Sequence, residues 1–129
     1  MKVFTDCLIV GSAGFFGCVA RYLLTLGFRN LSLTFPLGTV AVNILGCFVI
    51  GLLSQLISSE HNISPQMRLA IAVGFCGGFT TMSSFVYEMA DFMRLGEHFY
   101  AFLYFAGTLT GSFLAFYLGY FILKAKIGG

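Results

Sequence analysis

The chain has 129 residues, of which 58% are hydrophobic and 9% charged, and its net charge is +2. A soluble domain carries about 25% charged residues, so there is too little charge here to cover a water-facing surface, and lipid is the expected solvent. The net charge is too small to suggest nucleic acid as a partner, and there is no basic run or aromatic RNA motif.

A membrane-crossing helix needs about 20 mostly apolar residues. Four stretches meet that need: 3–28, 36–57, 65–95 and 98–123. They predict an all-α membrane protein, with residues 1–129 forming one four-helix transmembrane domain. The connectors "RNLSLTF", "SSEHNIS" and "GE" carry turn-forming residues. Ser64-Pro65 reads as a helix start, with Ser64 as N-cap. The first stretch lacks a strongly basic start and contains Arg21, so it reads as a retained helix rather than a signal peptide. Four crossings put both termini on one side, together with Lys2, Arg68, Lys124 and Lys126. Arg21, Arg29 and Arg94 fall on the other. So even a split gives the positive-inside rule little to act on. Insertion both ways round and insertion with termini inside both stay open. Antiparallel copies would form a dimer like the inverted repeats of larger transporters. The cysteines Cys7, Cys18, Cys47 and Cys76 have no metal-ligand spacing and read as packing residues.

Polar residues inside the spans carry the functional information. In the first helix Ala13, Gly17 and Arg21 share a face. An arginine deep in a span costs at least ~2.5–3.5 kcal/mol. Arg21 therefore either snorkels toward Arg29 or attracts anions to a vestibule. In the second helix Thr39, Asn43 and Gly46 form one stripe. The Asn43 amide must face protein or water, either bonding another helix or offering its NH2 to an anion. The third stretch is longer than the bilayer core and contains "GFCGGFTTMSSF". It must tilt or break, and Gly77-Gly78 with Thr80-Thr81 is the expected breakpoint. Freed carbonyls suit cations such as Na⁺, and freed amides suit anions. Beyond the break, Met82, Phe85 and Glu88 continue one face, interleaved with Ser83 and Ser84. The fourth helix carries Tyr104, Thr108 and Ser112 at i, i+4 and i+8, flanked by small residues.

The ordered motifs "GFFGCVARY", "GTVAVNILG" and "GFCGGFTTMSSF" resemble the CrcB/Fluc family of fluoride channels over essentially the whole chain. The resemblance implies a dual-topology, antiparallel homodimer in the bacterial plasma (inner) membrane. It implies two pores through which cytoplasmic fluoride leaves passively, and a structural Na⁺ on the dimer axis held by the carbonyls of Gly77 and Thr80. By position, the pore residues are Asn43, the aromatic positions Met82 and Phe85, and the hydroxyls of Tyr104, Thr108 and Ser112. Thr39, Ser83 and Ser84 are expected on the same path. Arg21 matches the family's first-helix arginine and Glu88 a glutamate beside the pore. Met82 departs from the pattern, which has Phe there, and a thioether lacks the positive ring edge that touches an anion. No nucleophile–base pair suggests an enzyme, and His61 and His98 lie in or near connectors. Two other readings remain: a small proton-coupled exporter of the four-helix multidrug type, with Glu88 titrating, and a non-transporting accessory subunit.

Overall fold

The computed structural model describes residues 1–31, 34–59 and 63–127. His61 and parts of the connectors 29–35 and 58–64 lie outside the described residues. Four helical spans cross the fold, Lys2–Phe28, Leu37–Ser58, Pro65–Arg94 and His98–Ile127. The second is the shortest at 22 residues, and at 1.5 Å per residue it still reaches about 33 Å, enough for a ~30 Å hydrocarbon core.

Local chemistry sets the ends. Ser64 Oγ accepts the Met67 amide at 3.2 Å, with Pro65 at the first helical position. The third span stops at a left-handed Gly96 with φ 74°. There Gly96 N–H reaches the Met93 carbonyl and Glu97 N–H the Phe92 carbonyl, the Schellman closure that only glycine enters cheaply. The fourth helix runs past residue 123 to Ile127, because Lys124 and Lys126 lie on its exposed last turns, where long stems carry their charge toward water.

The third span is interrupted. Its first half consists of Pro65–Arg68, a widened stretch Leu69–Cys76 and Gly77–Phe79. Thr80 (φ −84°, ψ 161°) and Thr81 (φ −151°, ψ 116°) are extended, and Met82–Arg94 resumes the helix. The break thus falls on the threonines, whereas Gly77 keeps helical angles, φ −62° and ψ −36°. Its neighbour Gly78 is needed for packing instead: a Cβ there would sit 2.6 Å from the Gly14 carbonyl oxygen.

Two pairs of helices pack backbone to backbone. The first helix lies against the first half of the third span, where Gly17 faces the Phe75 carbonyl. The second helix lies against the fourth, where a Cβ on Gly119 would stand 2.5 Å from the Phe48 carbonyl oxygen. Small residues allow such approach in lipid, where contact and van der Waals packing replace the hydrophobic drive. After the break, the third span changes partners. Phe85 and Phe92 join Ala101 and Tyr104 of the fourth helix in a buried cluster. Many large apolar side chains remain outside, among them Phe15, Phe16, Phe113 and Leu114. That coverage suits lipid or a second chain.

Candidate functional site

Breaking a helix inside a membrane leaves backbone groups that must find partners. At this break side chains supply several of them. The Thr80 hydroxyl and amide both donate to the Cys76 carbonyl, at 2.8 and 2.9 Å. Thr81 Oγ1 accepts the Ser84 amide at 3.1 Å and so caps the second half. Asn43 reaches across from the second helix: its Oδ1 accepts the Thr81 amide at 2.8 Å and its Nδ2 donates to the Thr81 carbonyl at 3.1 Å. Arg21 reaches across from the first helix, and its Nη1 donates to the Thr80 carbonyl at 3.2 Å. The backbone partners fix the Asn43 amide orientation, since an N–H only donates and a carbonyl only accepts. One of the two Nδ2 hydrogens remains unused by these bonds.

Asn43 lies in the wall of a cavity of about 470 Å³ that also takes in Thr80, Thr81, Met82, Phe85, Thr108 and Ser112. Among the described residues, no ionisable acid or base of the Asp, Glu, Lys, Arg or His type lines it. Its donors are neutral, and one stands out. Thr108 is 4% exposed, and its Oγ1 has no hydrogen-bond partner among the described residues. A buried hydroxyl left that way costs free energy, which a bound water or ion would offset. Phe85 is buried, with its ring 5.0 Å from that of Tyr104. Met82 is 67% exposed and forms the rim.

The other expected residues are placed elsewhere. The Glu88 carboxylate takes a hydrogen bond from Thr39 Oγ1 at 2.9 Å and from Tyr104 Oη at 2.5 Å. This unit ties three spans together. It lies beside a second cavity of about 400 Å³, whose wall includes Thr39, Glu88, Arg29 and Asp91. The hydroxyl hydrogens of Thr39 and Tyr104 are directed to Glu88. The hydroxyls of Ser83 and Ser84 lie 3.3 and 3.1 Å from Thr81 Oγ1 and belong to the cap. Arg21 sits at the break. Sequence reading placed Thr81 at the break without giving it a role, though a threonine directly before a helical run is an N-cap candidate. It also missed Cys47, Phe113 and Phe116 in the cavity wall. The last two follow from the Thr108–Ser112 stripe at helical spacing.

The family model described as "CrcB-like protein, Camphor Resistance (CrcB)" matches residues 8–120. The chain belongs to the CrcB family. Among curated relatives, a protein of Chlorobium phaeobacteroides named "Fluoride-specific ion channel FluC" is 48% identical over 117 residues, covering 91% of each chain. A protein of Chlorobium luteolum with the same name is 51% identical over 119 residues, 92% of this chain and 91% of its own. One of Rhizobium etli, also so named, is 36% identical over 123 residues, 95% of this chain and 98% of its own. All the polar groups at the break and in both cavities described above fall within the CrcB match. With four spans, this CrcB-family chain is a multi-pass membrane protein.

Proposed function

We propose that this CrcB-family chain is a fluoride-selective channel that lets fluoride leave the bacterial cytoplasm down its gradient. The observation that carries this reading is the buried Thr108 hydroxyl, without a hydrogen-bond partner among the described residues, in a cavity whose wall it shares with Asn43. Fluoride is small and strongly hydrated. A pore must replace its water with donors, yet hold it loosely enough for release. Asn43, Thr108 and Ser112 supply neutral donors, and Phe85 supplies a ring edge. No charged side chain among the described wall residues holds the ion, and direction follows the gradient and membrane potential. Glu88 is held by two hydroxyls between helices, which fits a structural tie better than the swinging carboxylate of a proton-coupled exporter.

The reading includes a second, inverted copy of the chain, giving two pores per dimer. The open rim at Met82 supports it, since a pore needs a closed wall. A structural Na⁺ at Gly77 and Thr80 belongs to the same reading. Two observations bear on its fit. The Thr81 amide that would normally close on the Gly77 carbonyl goes to Asn43, which frees a neutral oxygen of the kind that coordinates Na⁺. The Thr80 carbonyl leaves the helix ladder but accepts Arg21 Nη1 at 3.2 Å, so an ion there would use its second lone pair beside a guanidinium. The pair fits as half of a set completed by the other copy. The ion when bound would supply positive charge and hold the two breaks together.

Purified protein in lipid vesicles loaded with fluoride or chloride tests the function. Rapid fluoride efflux without a proton gradient, with chloride retained, is the expected result. Equal chloride efflux, or a strict need for a proton gradient, would overturn it. Met82→Phe places a ring where the family pattern has one. We expect dimer stability to be unchanged and fluoride efflux to shift by less than about tenfold, the scale of one aromatic contact of ~0.5–1.5 kcal/mol. A fluoride electrode and a subunit-exchange assay read the two effects separately.

A further inference from the structure

The carbonyl that Arg21 holds and the amide that Asn43 holds belong to one peptide group. Arg21 Nη1 donates to the Thr80 oxygen at 3.2 Å, and the Thr81 nitrogen donates to Asn43 Oδ1 at 2.8 Å. That peptide plane is therefore clamped on both sides, by the first helix and by the second. Neither flanking residue is helical, with ψ 161° at Thr80 and φ −151° at Thr81. No helix ladder fixes the plane, so its orientation depends on these two side chains.

The Asn43 amide in turn depends on the plane. A peptide rotated about its long axis would withdraw the N–H from Oδ1 and leave Nδ2 alone on the Thr81 carbonyl. The amide could then turn, and its remaining N–H would no longer have a fixed direction. A guanidinium on the carbonyl also polarises the peptide and strengthens its N–H as a donor.

We infer that Arg21 is a positioning residue for the channel: through the Thr80–Thr81 peptide it fixes the orientation of the Asn43 amide that faces the cavity. This rests on the channel reading above. It differs from a role as a free surface cation drawing anions inward, which needs charge but no particular bond. Arg21 is partly buried and its Nη2 lies 3.9 Å from Cys18 Sγ, so the guanidinium is held in place rather than free in solvent.

The test uses the full-length protein in vesicles, with Arg21→Met to remove the donor at similar volume and Arg21→Lys to keep a donor of similar reach. Hydrogen exchange of the Thr81 amide is read by mass spectrometry or NMR, and fluoride and chloride efflux are measured on the same samples. We expect Arg21→Met to speed Thr81 exchange and slow fluoride efflux, each by about tenfold or more, the scale of one hydrogen bond to a charged group. Fluoride-over-chloride selectivity should narrow along with it. Arg21→Lys should restore most of the protection and most of the flux. If Arg21→Met slows efflux but leaves Thr81 protected, Arg21 acts as a charge and the inference fails. If Thr81 loses protection while flux and selectivity stay unchanged, the clamp does not set the path and the inference also fails. A methionine variant that does not assemble leaves the lysine variant to decide by the same two readouts. A wild-type protein that carries no fluoride overturns the channel reading, whereas Thr81 exchange still reports whether the clamp exists.

Discussion

Asn43→Asp is expected to reduce fluoride efflux by roughly 100-fold or more while leaving the protein folded and assembled. Two physical routes lead to the same result. An ionised carboxylate has no hydrogen to give: it can still accept the Thr81 amide but meets the Thr81 carbonyl without a donor. It also places a full negative charge in a wall that holds none. At 4 Å and an effective dielectric near 20, repulsion of the anion is about 4 kcal/mol, ample for such a loss. If the substituted carboxyl is protonated instead, it imitates the asparagine toward the backbone, accepting from Thr81 N–H and donating to its carbonyl. Its one hydrogen is then used, and none remains for fluoride. Efflux from vesicles across a range of pH, with dimer content measured alongside, checks the prediction. Near-normal flux at every pH would remove Asn43 from the path.

Thr108→Val should move stability and function in opposite directions. Valine replaces the hydroxyl by a methyl group of nearly the same shape. The hydroxyl is buried and unpartnered among the described residues, so its removal should stabilise the fold by about 1 kcal/mol, the low end of the cost of an unsatisfied polar group. Fluoride efflux should fall about tenfold with the loss of one donor from the cavity. Thermal unfolding in detergent and vesicle efflux read the two quantities. A variant that is both less stable and fully active would mean that Thr108 packs rather than binds.

Much of the architecture was legible from the chain because it rests on local pattern. The four apolar stretches are set by hydropathy and length, and their ends by Ser64-Pro65 and Gly96, whose chemistry acts within a turn. The position of the break was half legible. Glycines and threonines marked the region, but glycine is also what close helix crossings need, and Gly78 is spent on the contact with Gly14. The interruption therefore moved to the threonines, whose own hydroxyls cap both sides. Asn43 stood out as an amide inside a span, Thr108 and Ser112 by helical spacing and Phe85 by the family resemblance, and the fold brings them to one cavity. The tie between Glu88, Thr39 and Tyr104, and that between Arg21 and Thr80, span 16 to 59 residues of sequence. Periodicity along a single helix carries no information about such partners, so the stripe alone does not tell that Tyr104 bonds Glu88 while Thr108 and Ser112 line the cavity.

The backbone-to-backbone seams have a mechanical corollary. Where two helices touch through glycine there are few side chains to shift between them, so each pair moves as a stiff plate. One plate is the first helix with residues 65–79, and the other is the second helix with the fourth. Within the third span, the chain leaves the first plate through the two residues Thr80 and Thr81 and continues in Met82–Arg94, which packs on the fourth helix. Any change in lipid thickness or lateral pressure that tilts the plates relative to each other loads that joint. The Arg21 and Asn43 side chains, each rooted in a different plate, then act as guy-lines on that joint.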